Sequence, residues 1–157
     1  MGLSEFVYRR RIQYRETDAS GVVHFSVFFV LCEEAEHAMW REAGLSVESE
    51  QTEIGWPRIS ASFEFLRALR FEDEVEVQLR VTGKTAKTLQ YQAVIYNGGR
   101  IAAVGSMSTI CVAKRAGEPL RAIDIPVSIA ECFTPVAPID VPGQALIPRP
   151  QSLIPNP

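Results

Sequence analysis

Asp18 lies in the stretch Tyr14-Arg15-Glu16-Thr17-Asp18-Ala19-Ser20-Gly21-Val22-Val23-His24-Phe25-Ser26, where a carboxylate, a turn-forming glycine and the start of an apolar run fall close together. Gly21 lets the backbone turn tightly. The apolar run that follows has the spacing of a helix, and a helix opens with unpaired backbone N–H groups and a partial positive charge. An anion or a polarised carbonyl can be held there. A carboxylate beside such donors can act as base or nucleophile on that carbonyl. The structural alternative is an Asp that hydrogen-bonds its own backbone in the turn.

Two readings are open for His24: an imidazole that orients water or meets a bound group, or a cap on the helix start. Glu33, Glu34, Glu36 and His37 fall together, and Glu34-x-x-His37 has the one-turn spacing of carboxylate-bridged iron sites. Those sites need the pair twice, with further carboxylates from other helices. One such helix is visible, so the group reads as the polar side of that helix. Arg58, Arg67, Arg70, Lys84 and Lys87 are cations at strand ends that can meet phosphates or serve solubility.

The elements that must position these residues follow from periodicity. Residues 6–14 mix Val, Tyr and Ile with Arg9, Arg10 and Arg11, predicting a strand with a basic exposed side. From Ser26, Phe28, Leu31, Cys32, Ala35, Ala38 and Met39 fall at helical spacing, and Gly44 ends the pattern. With Val27, Phe29 and Val30 also apolar, the first two turns are expected to be buried almost all round. Strands are predicted over 58–67, 74–81, 88–96 and 100–112. Val75, Val77, Leu79 and Val81 alternate with Glu74, Glu76, Gln78 and Arg80, predicting one dry and one wet face. Asn97-Gly98-Gly99 between two strands predicts a tight antiparallel hairpin. One long helix followed by antiparallel strands is an α+β arrangement with the sheet covering the helix.

These residues, in this order, resemble the hotdog-fold acyl-CoA thioesterases of the 4-hydroxybenzoyl-CoA thioesterase type. The similarity covers residues 6–115 and rests most specifically on Thr17-Asp18-Ala19-Ser20-Gly21-Val22-Val23, followed by an aromatic-rich helix carrying Glu33-Glu34-Ala35. Three positions depart from the usual pattern: Glu16 stands where Asp is common, His24 where Tyr or Phe is common, and Phe25-Ser26-Val27 where His-Ala-Asn or Tyr-Pro-Asn is common. The resemblance implies a curved antiparallel sheet of about five strands around a central helix. It implies hydrolysis of an acyl-CoA thioester, with Asp18 as nucleophile or general base and the Phe25 backbone N–H as oxyanion donor. Glu33 is a second catalytic candidate, since some related thioesterases use a helix-borne Glu. His24, Ser26, Phe29 and Arg58 are candidate substrate contacts, and Trp56 and Phe28 can shape the pocket. The alternatives are a hotdog dehydratase or hydratase using His24, and a non-catalytic acyl-CoA binding module. No metal or redox cofactor is called for, coenzyme A being part of the substrate. The family pattern implies a homodimer at least, with a homotetramer as the next assembly and the site at the subunit boundary.

Composition limits the rest. A chain of 157 residues, 46% hydrophobic, fits one domain with a core that needs no disulfides. The division expected is residues 1–134 as the hotdog domain and 135–157 as a proline-rich tail, since nine of ten prolines lie from Pro119 onward and the tail has no apolar period. A net charge of −3 carries no basic footprint for nucleic acid. The longest apolar run, 27–32, is too short for a membrane span. Cys32, Cys111 and Cys132 have neither zinc-site nor disulfide-framework spacing, and no secretory leader is visible, so a soluble cytoplasmic protein is expected.

Overall fold

The computed structural model describes residues 2–49 and 52–142. Strand β1, Glu5–Arg11, leads through a short 3-10 turn at Tyr14–Glu16 into helix α1, Phe25–Glu42. The two-residue strand β2, Ile54–Gly55, then precedes the main strands: β3, Arg58–Phe65; β4, Glu74–Lys84; β5, Thr88–Asn97; and β6, Arg100–Ile110. Short strands β7, Val112–Ala113, and β8, Arg121–Ala122, and a short helix α2, Val127–Ala130, follow.

The principal sheet has five strands in the order β1-β4-β5-β6-β3, every neighbour antiparallel. This is the α+β arrangement the sequence predicts. The hairpin between β5 and β6 turns at Gly98 and Gly99, both at positive φ, the geometry that favours glycine there. In β4 the alternation is literal: Val75, Val77, Leu79 and Val81 are all buried while their neighbours face outward. Register then aligns Val77 with Ile95, Leu79 with Ala93, and Val81 with Tyr91, so one apolar face runs across the sheet. Helix α1 packs on it through Phe28, Leu31, Cys32, Ala35, Met39 and Trp40. The indole N–H of Trp40 donates to the buried Tyr91 hydroxyl at 3.0 Å, satisfying the polar atoms of two core residues.

The start of the helix departs from the expected all-round burial. Phe25 is 61% and Val30 47% exposed, because the sheet covers the helix on one side only. The β1 side departs as well. Its three arginines do not all face solvent: period-two alternation puts Arg10 with Phe6 and Tyr8 on the partly buried side.

Residues 135–142, the described part of the proline-rich segment, lie on the sheet face opposite the helix. The Val136 N–H donates to the Val81 carbonyl at 2.9 Å, and Gln92 exchanges two bonds with the Ile139 backbone, Nε2 to O at 2.9 Å and N–H to Oε1 at 2.6 Å. Val141 covers Val94 and Val104, the apolar pair on this outer face. The remainder of the expected tail, 143–157, lies outside the described residues.

Candidate active site

The loop from β1 to α1 is closed on itself. Thr17 and Val23 form an antiparallel bridge, the Asp18 N–H donates to Val22 O at 2.8 Å, and Gly21 turns the chain at φ +76°. A second tie, Val23 N–H to Leu69 O at 2.7 Å, fastens the loop to the segment after β3. Asp18 is thereby held at the start of α1. Its Oδ1 accepts the Ser20 N–H at 2.8 Å, the turn bond expected of a structural Asp, and Oδ2 has no partner among the described residues. Both readings of Asp18 thus have a place in the geometry: one oxygen shapes the turn and the other is open.

Asp18 lines a cleft of about 390 Å³ with Phe25, Phe28, Phe65, Leu66 and Arg67. Phe28 meets Phe65 edge-on at 4.9 Å, and Phe29 meets Phe63 edge-on at 5.0 Å, so aromatic rings wall the region. The Phe25 N–H is the first of the helix and has no acceptor among the described residues. His24 is the N-cap: its Nδ1 accepts the Ser26 N–H at 3.3 Å and lies 2.7 Å from the Ser26 hydroxyl, while its ring rests on Phe25 with centroids 4.5 Å apart. The cap accounts for a His at this position and commits Nδ1 to the helix end.

The other sequence candidates lie elsewhere. Glu33 and Arg58 line a separate depression with Glu36, His37 and Trp56, so one chain does not bring Glu33 to the Asp18 cleft. Arg58 is ion-paired with Glu36, whose carboxylate is almost fully buried, and reaches Glu33 at 3.5 Å. Burial pushes the Glu36 carboxyl above the usual carboxylate range, although Arg58 pulls it back. Glu34 is taken up by Tyr8 and Arg10, so the helical carboxylates have partners other than a metal. Of the strand-end cations, Lys84 donates to the Ala130 and Phe133 carbonyls and Lys87 pairs with Asp124 at 2.5 Å. Arg67 is left at the cleft with an exposed side chain. A larger cavity, about 650 Å³, opens near Arg9, Arg11, Glu74 and Glu76, but these charges neutralise one another as Arg9–Glu76 at 2.8 Å and Arg11–Glu74 at 2.5 Å. The smaller cleft is the one lined by the candidate residues Asp18 and Phe25.

Sequence reasoning missed the pairing of Arg10 with Glu16. Arg10 grips Glu16 through Nη2–Oε1 at 2.5 Å and Nη1–Oε2 at 2.8 Å, and reaches Glu34 through Nε at 2.6 Å. The signal was available in β1, where alternation from Phe6 and Tyr8 places Arg10 on their face.

Comparison with known proteins gives the family and the fold. The model of the thioesterase-like superfamily matches residues 12–133. A 1,4-dihydroxy-2-naphthoyl-CoA hydrolase of Trichodesmium erythraeum (strain IMS101) is 31% identical over 112 residues, covering 68% of this chain and 81% of that protein. The crystal structure of a 1,4-dihydroxy-2-naphthoyl-CoA thioesterase from Synechocystis superposes with a TM-score of 0.75 at 22% identity, covering 82% of this chain and 94% of that one, and shows the fold to be the hotdog. A hypothetical protein of Thermus thermophilus of known structure, 29% identical, superposes with a TM-score of 0.74 over 80% of this chain and 95% of its own.

Proposed function

Because the chain belongs to the thioesterase-like superfamily, we propose that it is an enzyme hydrolysing acyl-CoA thioesters at the cleft between Asp18 and the start of α1. The observation that carries this reading is the meeting of an open carboxylate oxygen and an unaccepted helix N–H at one aromatic-walled cleft. In the general-base form, Asp18 takes a proton from water, the water oxygen attacks the thioester carbon, and negative charge moves to the carbonyl oxygen beside the Phe25 N–H. The helix dipole favours that charge. Collapse breaks the C–S bond, and the departing thiolate takes the proton back from Asp18. In the nucleophilic form the Asp18 oxygen itself attacks, the C–S bond breaks and coenzyme A leaves as a thiolate that takes a proton from solvent, and water then hydrolyses the mixed anhydride to the free acid and the Asp18 carboxylate. Neither form needs a metal or redox cofactor.

The wall of Phe25, Phe28 and Phe65 suits a flat aromatic acyl group, whose ring can pack edge-on or offset against them. The naphthoyl-CoA substrate in the name of the Trichodesmium relative supports that class. His24 serves this site by capping the helix that carries the donor, in preference to the hydratase role.

The assembly is proposed to be a homodimer at least. Strand β3 is an edge strand with Ile59 56% and Phe65 47% exposed, beside the exposed Phe25 and Val30 of α1. The opposite edge, β1, carries Arg9 and Arg11 in exposed ion pairs, the kind of edge that resists pairing. A second copy therefore joins at β3 and closes the cleft. For localisation, no described helix is long and apolar enough to cross a membrane; the cytoplasm stays the proposed compartment from the free cysteines.

Free-thiol release from a panel of aroyl-CoA and alkanoyl-CoA esters tests the reading. Faster turnover of the aroyl esters is expected. Binding of the panel without thiol release would replace hydrolysis by an acyl-CoA binding role, and hydration of an enoyl-CoA would replace it by the hydratase.

A further inference from the structure

We infer that Arg10 is a positioning residue for this site: its guanidinium fastens Glu16 to strand β1 and helix α1, and thereby fixes Asp18 relative to the Phe25 N–H. The inference rests on the reading of those two groups as the reacting machinery.

Glu16 is the point where the two halves of the site meet. Along the chain it stands two residues before Asp18. Through its backbone it also holds the helix start, because its carbonyl accepts the N–H of His24 at 2.9 Å, the residue before Phe25. Whatever fixes Glu16 fixes both the carboxylate and the donor. Its side chain is bound on both oxygens: Oε1 by Arg10 Nη2, and Oε2 by Arg10 Nη1 and the Gln13 N–H, the last at 2.8 Å.

Arg10 is anchored in turn. Its Nε lies 2.6 Å from Oε2 of Glu34, in the third turn of α1, and the same oxygen accepts the Tyr8 hydroxyl at 3.1 Å. Nη1 also donates to its neighbour's carbonyl, Arg11 O, at 3.0 Å. One guanidinium therefore ties three elements: the strand it belongs to, the loop bearing Asp18 and the helix whose first N–H is the donor. The arginine and Glu16 side chains are only 16% and 11% exposed, so water screens the ties weakly. The planar fork meets a carboxylate on two parallel bonds, which fixes direction as well as distance; a lysine ammonium cannot do this. Misplacement of reacting groups by about 1 Å can cost on the order of 100-fold in rate.

The test compares Arg10→Ala, Arg10→Lys and Asp18→Asn with the wild type, using benzoyl-CoA as probe and thermal melting to establish that each is folded. Arg10→Ala is expected to lose roughly 10- to 100-fold in kcat with KM nearly unchanged, because the displaced groups act on the transition state. Dilute guanidinium is expected to restore part of that kcat in Arg10→Ala and nothing in Asp18→Asn, and Arg10→Lys to fall short of wild type. Should Arg10→Ala fail to fold, Glu16→Gln carries the same expectation of a fall in kcat at constant KM. Wild-type kcat in folded Arg10→Ala, or a loss confined to melting temperature with no guanidinium rescue, overturns the inference. The two claims fail separately: full activity in Asp18→Asn removes the catalytic reading itself, whereas an inactive Asp18→Asn beside a fully active Arg10→Ala removes only the positioning role.

Discussion

Phe63 lies directly over Gly105: a Cβ built on the glycine would meet the Phe63 ring at 2.5 Å and the Ser62 carbonyl at 2.6 Å. The two residues face each other across β3 and β6, and the bare backbone of Gly105 is what lets the ring settle beside Phe28 and Phe29. Gly105→Ala is therefore expected to push Phe63 aside and destabilise the fold by about 1–3 kcal/mol, the usual cost of overpacking. It is also expected to shift the aroyl-to-alkanoyl preference. Denaturant melts and the ratio of kcat/KM for benzoyl-CoA and a linear acyl-CoA check both effects.

Stability against pH should separate Glu16 from Glu36. Burial alone would raise the Glu16 carboxyl, but the Arg10 fork, the Gln13 N–H and nearby cationic charge outweigh it and hold the group below its ordinary 4.5. The stability it contributes is thus present above pH 4.5 and lost as pH falls through the lower folded value. Burial of Glu36 wins over Arg58 and raises its carboxyl above 4.5, so its contribution is present below 4.5 and lost as pH rises through the folded value. Melting of Glu16→Gln should fall furthest below wild type near neutrality and approach it in acid. Glu36→Gln should move the other way, comparing best with wild type at the higher pH.

The bonds between Gln92 and the Ile139 backbone hold the segment 135–142 over Val94 and Val104. Gln92→Ala is expected to cost about 1–3 kcal/mol, from two hydrogen bonds at about 0.5–1.5 kcal/mol each. Deleting residues 135–157 should cost more and increase binding of a hydrophobic dye, because the outer apolar pair is then bare. Dimerisation should survive in both, since the proposed contact lies at β3 and the start of α1. Light scattering on the variants measures it.

Activity should follow the dimer. On dilution, thiol release per chain is expected to fall as the mass drops toward that of a single 17.5 kDa chain, because in the proposed dimer the second copy closes the cleft. An active species of that single-chain mass would contradict a shared site.

Much of this was legible locally. The strict alternation in 74–81 and the Asn97-Gly98-Gly99 turn each state their structure within a few residues, and the loop around Asp18 gathers its candidate groups in one short stretch. Arg10–Glu34 and Arg58–Glu36 join residues 24 and 22 positions apart, and nothing in local spacing says which cation finds which carboxylate. The exposure of Phe25 and Val30 was hidden for a different reason: helical spacing reports which residues are apolar, and an exposed apolar face has the same composition as a core.

The most direct measurement is single-turnover hydrolysis of benzoyl-CoA by Asp18→Asn, with circular dichroism and melting to establish the native fold. Asn keeps the size of the side chain and an oxygen for the Ser20 N–H, while removing the carboxylate proposed to take the proton or attack the carbonyl. A fall of about 10²- to 10⁴-fold in the chemical step is expected, with benzoyl-CoA still bound. Near-wild-type turnover by the folded variant would contradict the account, and inactivity of Glu33→Gln in its place would move the chemistry to the helix.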